Sequence, residues 1–423
     1  MLKRTLAQQK IEFEEKTAEP YVTRSLVIDA DANDLIKVIL GPRRAGKSFL
    51  VMHLVKAAGK FGYVNFDDEF LSGFSDTNAL MDAVDEVWDS PAHILFDEIQ
   101  NLPKWELFLN RLQRQGRKLM VTGSNAHLLG SELTTHLTGR HLPYVLFPFS
   151  FTEYCAIRRP GAGTTGSGVA RQLISYLKDG GFPEPLFKTV DRRFYLSTLL
   201  DSLIYKDIVR RFRLRVHTGI QAVARYLMSN VGSEYSHARI AEVSGCKSVR
   251  TTEKYIGYLE QAFLFFTLSR FSWKVREQVR TNKKIYCIDN GLVAAGGFSI
   301  GTDTGRLAEN LVAITLHKKR LQGELDLFFW KNRDHHEVDF LVKQGNGVRR
   351  LIQVCWDVSA SDVREREIRA LLSAGSELKC SDLVVLTENH EAVEQHTWFG
   401  KSGEIRFQPL WKWFLEQEKS STL

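Results

Sequence analysis

The chain has 423 residues, of which 43% are hydrophobic and 25% charged. This length predicts roughly two to four domains, and the composition excludes a largely disordered chain. A net charge of +7 favours a polyanionic partner such as nucleic acid without specifying one.

The opening stretch, MLKRTLAQQKIEFEEK, has no apolar signal core, and no uncharged run in the chain reaches the ~20 residues of a membrane helix. The expected location is therefore the cytoplasm, without membrane contact. Residues 1–33 are polar and of mixed charge, and predict a helix leading into a first domain over 34–150. LIKVIL, from Leu35 to Leu40, is a buried-strand run. A glycine-bounded turn and an apolar-periodic helix to Ala58 follow, with Gly59 as C-cap. FGYVNF, HILF and KLMVTG are further short strands, and YVLF closes the series. The helix PKWELFLNRLQRQG, from Pro103 to Gly116, separates HILF from KLMVTG. Such alternation reads as α/β, a parallel sheet covered on both faces.

After Pro148 the texture turns helical, and residues 151–220 are expected to form a helical lid in which GAGTTGSG, Gly161 to Gly168, is a solvent loop. Residues 221–300 predict short helices and then two strands. Within them Ile240 and Val243 face inward, Gly245 turns the chain and Ser248 caps a second helix. Val249, Tyr255, Ile256 and Leu259 give that helix an apolar stripe. This is helix-turn-helix geometry, with FLFFTLSRF and KIYCID as wing strands. Lys247, Arg250, Thr251 and Lys254 fall outside the stripe and can meet phosphates or base edges, or form a solvated face. Two basic runs add to a polyanion surface: YKDIVRRFRLRV, and WKVREQVRTNKK with its Trp273. Residues 301–423 return to mixed helix and strand, with LDLFFW, VDFLV, LIQVCW and LVVLT as strands. Cys155, Cys246, Cys287, Cys355 and Cys380 lie far apart with no CxxC, which fits a reducing compartment and argues against a disulfide framework or a zinc ribbon.

GPRRAGKS, from Gly41 to Ser48, matches GxxxxGK[ST] between a buried strand and a helix. Its glycines let Gly41, Pro42, Arg43, Arg44, Ala45 and Gly46 form a loop whose backbone N–H groups surround phosphates, with Phe49 following in the helix. Proline, having no N–H, contributes shape only. Lys47 would reach the β- and γ-phosphates of ATP, and Ser48 would ligate Mg²⁺. HILFDE ends in two acids: Asp97 would hold Mg²⁺ through Ser48 and water, and Glu98 would polarise the attacking water.

With its extra strand between these motifs and LMVTGSN after them, the segment resembles the AAA+/STAND branch of P-loop ATPases. The resemblance places Ser124 and Asn125 at the polar sensor position, where they are equally turn formers. It places Arg140 where this class keeps an arginine for γ-phosphate charge, in cis or from a neighbouring subunit of a homo-oligomer. GGFPE resembles the element that touches the base, with Pro183 on adenine. The ordered set GPRRAGKS, NFDDE, LFDEIQNLPKWE, TGSNAHLL, LTGR, FPFSFTEY, GGFPE, KIYCIDNGL, GRLAENLV and EVDF spans most of the chain. It resembles an archaeal and bacterial family of AAA-type ATPases whose C-terminal domain of unknown function contains a winged helix, here 221–300, and a restriction-endonuclease-like PD-(D/E)xK part, here 301–423.

That nuclease fold uses a helix glutamate, an aspartate ending one strand, and an acid or glutamine followed by lysine on the next. Glu309, Asp339 and Gln353 fit the first three positions, and Cys355 takes the lysine's place. A thiol cannot replace an ammonium, so a retained fold without cleavage is expected unless Lys343 or Lys331 enters from elsewhere. The leading expectation is an ATP-driven machine acting on duplex or branched DNA. A nucleotide switch governing protein assembly and an ATP-regulated, metal-dependent nuclease are the alternatives.

Overall fold

Strand and helix alternate from the first residues of the computed structural model, which describes residues 1–125, 137, 139–158, 166–215, 217–297 and 303–419. The chain divides into two units, one of residues 1–148 with 261–263, the other of residues 149–260 and 264–423.

The first unit contains α1 (Leu2–Ala18), β1 (Ile36–Leu40), α2 (Lys47–Ala57), β2 (Phe61–Asn65), α3 (Thr77–Val87), β3 (His93–Asp97), α4 (Trp105–Arg114), β4 (Lys118–Gly123) and β5 (His141–Val145). The five strands pair in parallel in the order β2-β3-β4-β1-β5. Parallel neighbours cannot be joined by hairpins, so helices carry the crossovers and cover the faces, and β1 and β3 are buried at every position. The expected N-terminal helix stops at Ala18. Its Phe13 packs on Phe61, Tyr63 and Trp88 with ring centroids 4.7, 5.4 and 5.9 Å apart. Gln9 also blunts the open edge at β2, its amide bonding the carbonyl and the N–H of Asn65 at 3.0 and 2.9 Å. The closing strand lies earlier than YVLF alone suggests, and it tolerates Pro143 because β5 is the opposite edge.

The second unit begins with α5 (Phe151–Arg158), α6 (Gly166–Asp179), α7 (Glu184–Phe187) and α8 (Arg192–Ser202), which continues as a π-helical stretch over Leu203–Arg210. Gly166 and Gly168 therefore open a helix and do not belong to a solvent loop; residues 161–165 of that expected loop lie outside the described residues. Next come α9 (Thr218–Ser229), β6 (Glu234–Tyr235), α10 (His237–Ser244), α11 (Val249–Gln261), β7 (Phe265–Leu268), α12 (Val275–Arg280) and β8 (Lys283–Cys287). The three strands form an antiparallel sheet in the order β6-β8-β7. Gly245 ends α10 at φ 68°, and Ser248 Oγ accepts from Thr251 N at 3.1 Å as the cap of α11. The expected apolar faces need correction, because Val243 and Val249 are 60% and 48% exposed while Thr252 is fully buried.

After α13 (Asn290–Gly296) follow α14 (Thr304–Leu321), β9 (Asp326–Lys331), β10 (Glu337–Gln344), β11 (Gly347–Val354), α15 (Ser361–Leu378), β12 (Leu383–Thr387), β13 (Ala392–Trp398), β14 (Lys401–Pro409) and α16 (Leu410–Lys419). These strands form a six-stranded sheet in the order β13-β14-β12-β11-β10-β9. β9, β10 and β11 form an antiparallel meander, and β12 lies parallel to β11 and β14. Phe271 N donates to Phe329 O at 2.7 Å and Phe329 N to Ser269 O at 3.1 Å, so the chain after β7 runs beside β9. Among the described residues no helix is long and apolar enough to cross a membrane.

The GGFPE turn is fixed by one buried carboxylate. Asp289 Oδ2 accepts from Gly181 N at 2.7 Å and Oδ1 from Leu292 N at 3.2 Å. A Cβ on Gly180, whose φ is +71°, would fall 2.3 Å from Asp289 Oδ1. Burial raises this carboxyl from its ordinary 3.8 to about 6, against the pull of the backbone donors. The native state then binds a proton that the unfolded chain has released, so this group's contribution to stability falls as pH rises from about 4 to about 6. The stability difference between the native sequence and Asp289→Asn, read from urea midpoints, should shrink or reverse across that interval and stay flat from pH 7 to 8.

Candidate nucleotide site and buried charge cluster

β1 delivers the chain to Gly41, whose φ of +146° and lack of a side chain are both required, since a Cβ there would lie 2.1 Å from Leu146 O. Gly46 caps α2 in the left-handed region at φ 92°. The first N–H groups of α2 lack intrahelical acceptors and face the loop with the positive end of the helix dipole. Lys47 is only 4% exposed, and its ammonium donates to Gly41 O and Pro42 O, both at 3.0 Å. A residue with no motif to announce it secures the loop from behind: buried Arg24 donates to Ala45 O at 3.0 Å and to Phe147 O at 2.7 Å.

The acidic side comes from β3, which is separated from β1 by β4. Ser48 Oγ donates to Asp97 Oδ1 at 2.9 Å, Thr122 Oγ1 donates to the same oxygen, and Tyr63 OH reaches Oδ2 at 3.3 Å. Burial and the neighbouring Glu98 raise the Asp97 carboxyl, while Thr122, Ser48 and Lys47 pull it back. Glu98 sits at φ 51° with its N–H on Thr122 Oγ1 at 3.1 Å. Its Oε2 accepts from Gln100 Nε2 and, at 3.4 Å, from Ser124 Oγ. The structure thus brings Lys47, Ser48, Asp97, Glu98 and Ser124 to one end of the sheet, with buried Asn125 beside Ser124 at the end of β4.

These donors fit a magnesium–triphosphate group. Ser48 and Asp97 are hard oxygen ligands, and the glycine loop with the α2 terminus is a cradle that a single Cβ at Gly41 would destroy. Among the described residues no group of three or more His, Cys, Asp and Glu could hold a metal alone. A P-loop ion needs no such group, because phosphates and water complete its shell.

The remaining candidates of this unit are more dispersed. Arg43 faces Asp67 at 3.9 Å, and Arg44 is exposed in the left-handed region at φ 65°. Phe49 belongs to an aromatic group in which Tyr21 stacks on His53 at 4.2 Å. Arg140 is exposed just before β5, whose register pairs Ile36 with His141 and Leu40 with Val145. That puts Arg140 at the far end of the sheet, roughly 15–20 Å along the strand from the loop. It is not brought to the phosphate cradle of its own chain. Pro183 belongs to the second unit, where it precedes α7.

In the second unit, Glu309 on α14, Asp339 on β10 and Gln353 on β11 converge. Gln353 Oε1 accepts from Asp339 N at 3.1 Å, and Val354 N donates to Asp339 Oδ2 at 3.0 Å. Cys355 does not take a lysine's part: its thiol lies in the apolar core, donates to Asp357 O at 3.3 Å, and is raised to about 11 by burial. Neither Lys331 nor Lys343 supplies the ammonium at Asp339. Lys343 pairs with Asp326 at 3.1 Å, and Lys331 with Glu234 and Glu337. The ammonium comes from Lys284 on β8, which is 2% exposed and lies 3.1 Å from Glu309, 2.7 Å from Glu337 and 3.0 Å from Asp339. Burial opposes its charge, but the surrounding acids hold it well above the ordinary lysine range. Glu309 also accepts from Tyr286 OH at 2.8 Å, and burial and Asp339 push it up to about 7. In the sequence, Lys284 looked like one more cation of a basic surface run.

Lys247, Arg250 and Lys254 are exposed around α11, and Thr251 is half-buried with its hydroxyl 2.9 Å from Ser248 Oγ. Phe212 stacks on Tyr258 of α11 at 3.8 Å and 11°, and the Arg211 guanidinium lies 5.7 Å from the Phe212 ring. Arg211 is thereby brought near that helix, and Lys206, Arg210, Arg213 and Arg215 are exposed in the same run.

An AAA domain matches residues 33–155, and domains of unknown function, DUF8612 and DUF4143, match 170–300 and 304–402. An uncharacterized protein of Haemophilus influenzae is 28% identical over 77% of this chain and 83% of its own length. Among solved structures, the Walker-type ATPase PABY2304 of Pyrococcus abyssi aligns at 13% identity with a TM-score of 0.42, over 66% of this chain and 98% of that one. The uncharacterized protein MJ1544 of Methanocaldococcus jannaschii is 30% identical over 97% of both chains, and to its family, with an AAA domain at the N-terminal side, this chain belongs.

Proposed function

We propose that the protein is an ATPase that couples ATP hydrolysis to the binding or remodelling of DNA. The observation that carries the ATPase reading is the Ser48–Asp97 hydrogen bond beside the glycine loop, with Glu98 next to it and Lys47 over the loop. Bound Mg²⁺–ATP supplies the γ-phosphoryl group and the charge that polarises it. The loop N–H groups and the α2 terminus hold the phosphates. Lys47 exchanges the Gly41 and Pro42 carbonyls for phosphate oxygens, Ser48 ligates the ion, and Asp97 positions Ser48 and water around it. Glu98, once released from Gln100, orients the attacking water and takes its proton.

The DNA reading rests on the order helix α9, strand β6, helices α10 and α11, strand β7, short helix α12 and strand β8, with the sheet order β6-β8-β7, which we read as a winged helix. The cations on α11 and the nearby Arg211 supply phosphate contacts. The meander β9–β11 flanked by α14 and α15 is read as restriction-endonuclease-like. A second reading, a nucleotide switch that governs assembly, is supported by the position of Arg140, which is exposed, lies away from the loop of its own chain and is open to a neighbouring subunit.

Lys47→Ala should abolish tight ATP binding in a calorimetric titration. Glu98→Gln should retain binding while hydrolysis falls about 100-fold or more; normal turnover in that variant would remove Glu98 from the mechanism.

For the DNA reading, ATPase rates are measured with and without single-stranded, duplex and junction DNA, alongside binding across a salt series. Replacing Lys247, Arg250 and Lys254 by alanine should weaken binding and flatten the log–log salt slope by about 0.9 per lost phosphate contact. Salt-insensitive binding of a protein partner with indifference to DNA would instead support the switch.

A further inference from the structure

We propose that Lys284 is the resident cation of the centre formed by Glu309, Glu337 and Asp339, standing where a divalent ion would have to bind, so that this centre is an electrostatic joint and not a metal site. An ammonium carries three protons; that of Lys284 donates to Glu309 and Asp339 at 3.1 and 3.0 Å and pairs with Glu337 at 2.7 Å. Two of the second carboxylate oxygens are engaged too. Asp339 Oδ2 accepts the Val354 N–H at 3.0 Å, and Glu337 Oε2 pairs with Lys331 at 2.9 Å. Glu309 Oε2 packs where a Cβ on Gly232 would lie, 2.9 Å away, so the approach depends on that glycine at φ +77°. Gln353, the remaining oxygen a metal would use, gives its Oε1 to Asp339 N and its Nε2 to Glu367.

A magnesium ion demands oxygens at about 2.0–2.1 Å in an octahedron. To bind here it would have to displace a buried ammonium from all three carboxylates or lie against it. Neither fits the donors present, and no cleavage step is drawn through such an ion. What the centre does instead follows from where its members originate. Lys284 and Tyr286 are on β8 of the three-stranded sheet, Glu309 is on α14, and Glu337 and Asp339 are on β10 of the six-stranded sheet. One desolvated charge cluster therefore ties the two sheets together at their shared boundary.

The test uses the full chain carrying Asp97→Asn, to remove the divalent ion of the phosphate loop, and reads Mn²⁺ uptake by electron paramagnetic resonance without nucleotide. With Lys284 present, no uptake that a further Asp339→Asn would abolish is expected. Lys284→Met, which keeps length and apolar bulk, should gain about one Mn²⁺ per chain and a Mn²⁺-dependent rise in melting temperature, both lost again with Asp339→Asn. Mn²⁺ bound by the Lys284 chain through Asp339 would overturn the proposal, as would a folded Lys284→Met variant that takes up none. Should that variant not fold even with Mn²⁺, uptake by the Lys284 chain decides alone. The outcome is independent of whether the first unit hydrolyses ATP.

Discussion

The 2.9 Å hydrogen bond between Ser48 and Asp97 is the contact on which the first unit's chemistry depends. It exists because parallel strands end together: β1 hands its last residue to the glycine loop, and β3 presents Asp97 at the same edge across β4. β4 adds Thr122, which bonds Asp97 through its hydroxyl and accepts the Glu98 N–H. The sheet order thereby determines which acid faces the loop hydroxyl, Asp97, and which bonds Gln100 and Ser124 instead, Glu98. The same topology explains the narrow tolerance at Gly41, where the loop must clear the Leu146 carbonyl as it leaves the sheet.

The loop and acid pair were legible in sequence because their chemistry imposes backbone conformations that few residue patterns satisfy. Arg24 was not legible. It acts from an irregular segment, and its two carbonyl partners, at 45 and 147, are brought to it by the fold alone. The burial pattern of the helix-turn-helix misled for a related reason. Val243 and Val249 flank a turn that projects from the module, so apolar character there predicted a core that the turn does not have. The β13–β14 hairpin escaped because β13, AVEQHTW, is an edge strand with alternate residues exposed and too polar to stand out. Gly166 and Gly168 read as loop, yet they begin α6, whose later residues Leu173, Tyr176 and Leu177 are buried and hold it in place.

Lys284 is the clearest case of information absent from local pattern. In KKIYC the period of two puts Lys284 and Tyr286 on one face and Lys283 and Ile285 on the other, and nothing nearby marks which lysine turns inward. Its partners are Glu309, Glu337 and Asp339, at least 25 positions away, and only the packing of three elements identifies them. The nuclease pattern contains the acids and calls for a lysine on an adjacent strand. The fold supplied it from a different sheet.

The two buried acidic centres differ in what neutralises them, and that difference assigns their roles. Around Asp97 the nearest donors are hydroxyls of Ser48, Thr122 and Tyr63, which orient the carboxylate but bring no charge. Burial therefore raises Asp97, and its charge is best stabilised by a cation that arrives with a ligand. Around Asp339 the cation is covalently part of the chain, saturated and excluded from solvent. A centre of the first kind changes state with occupancy and can drive a cycle. In a centre of the second kind the cation is fixed to the chain, and breaking the centre would leave an ammonium or a carboxylate buried without its partner, which is strongly unfavourable. The acid cluster of the second unit thus carries its own cation, where the cluster around Asp97 depends on one that is brought to it.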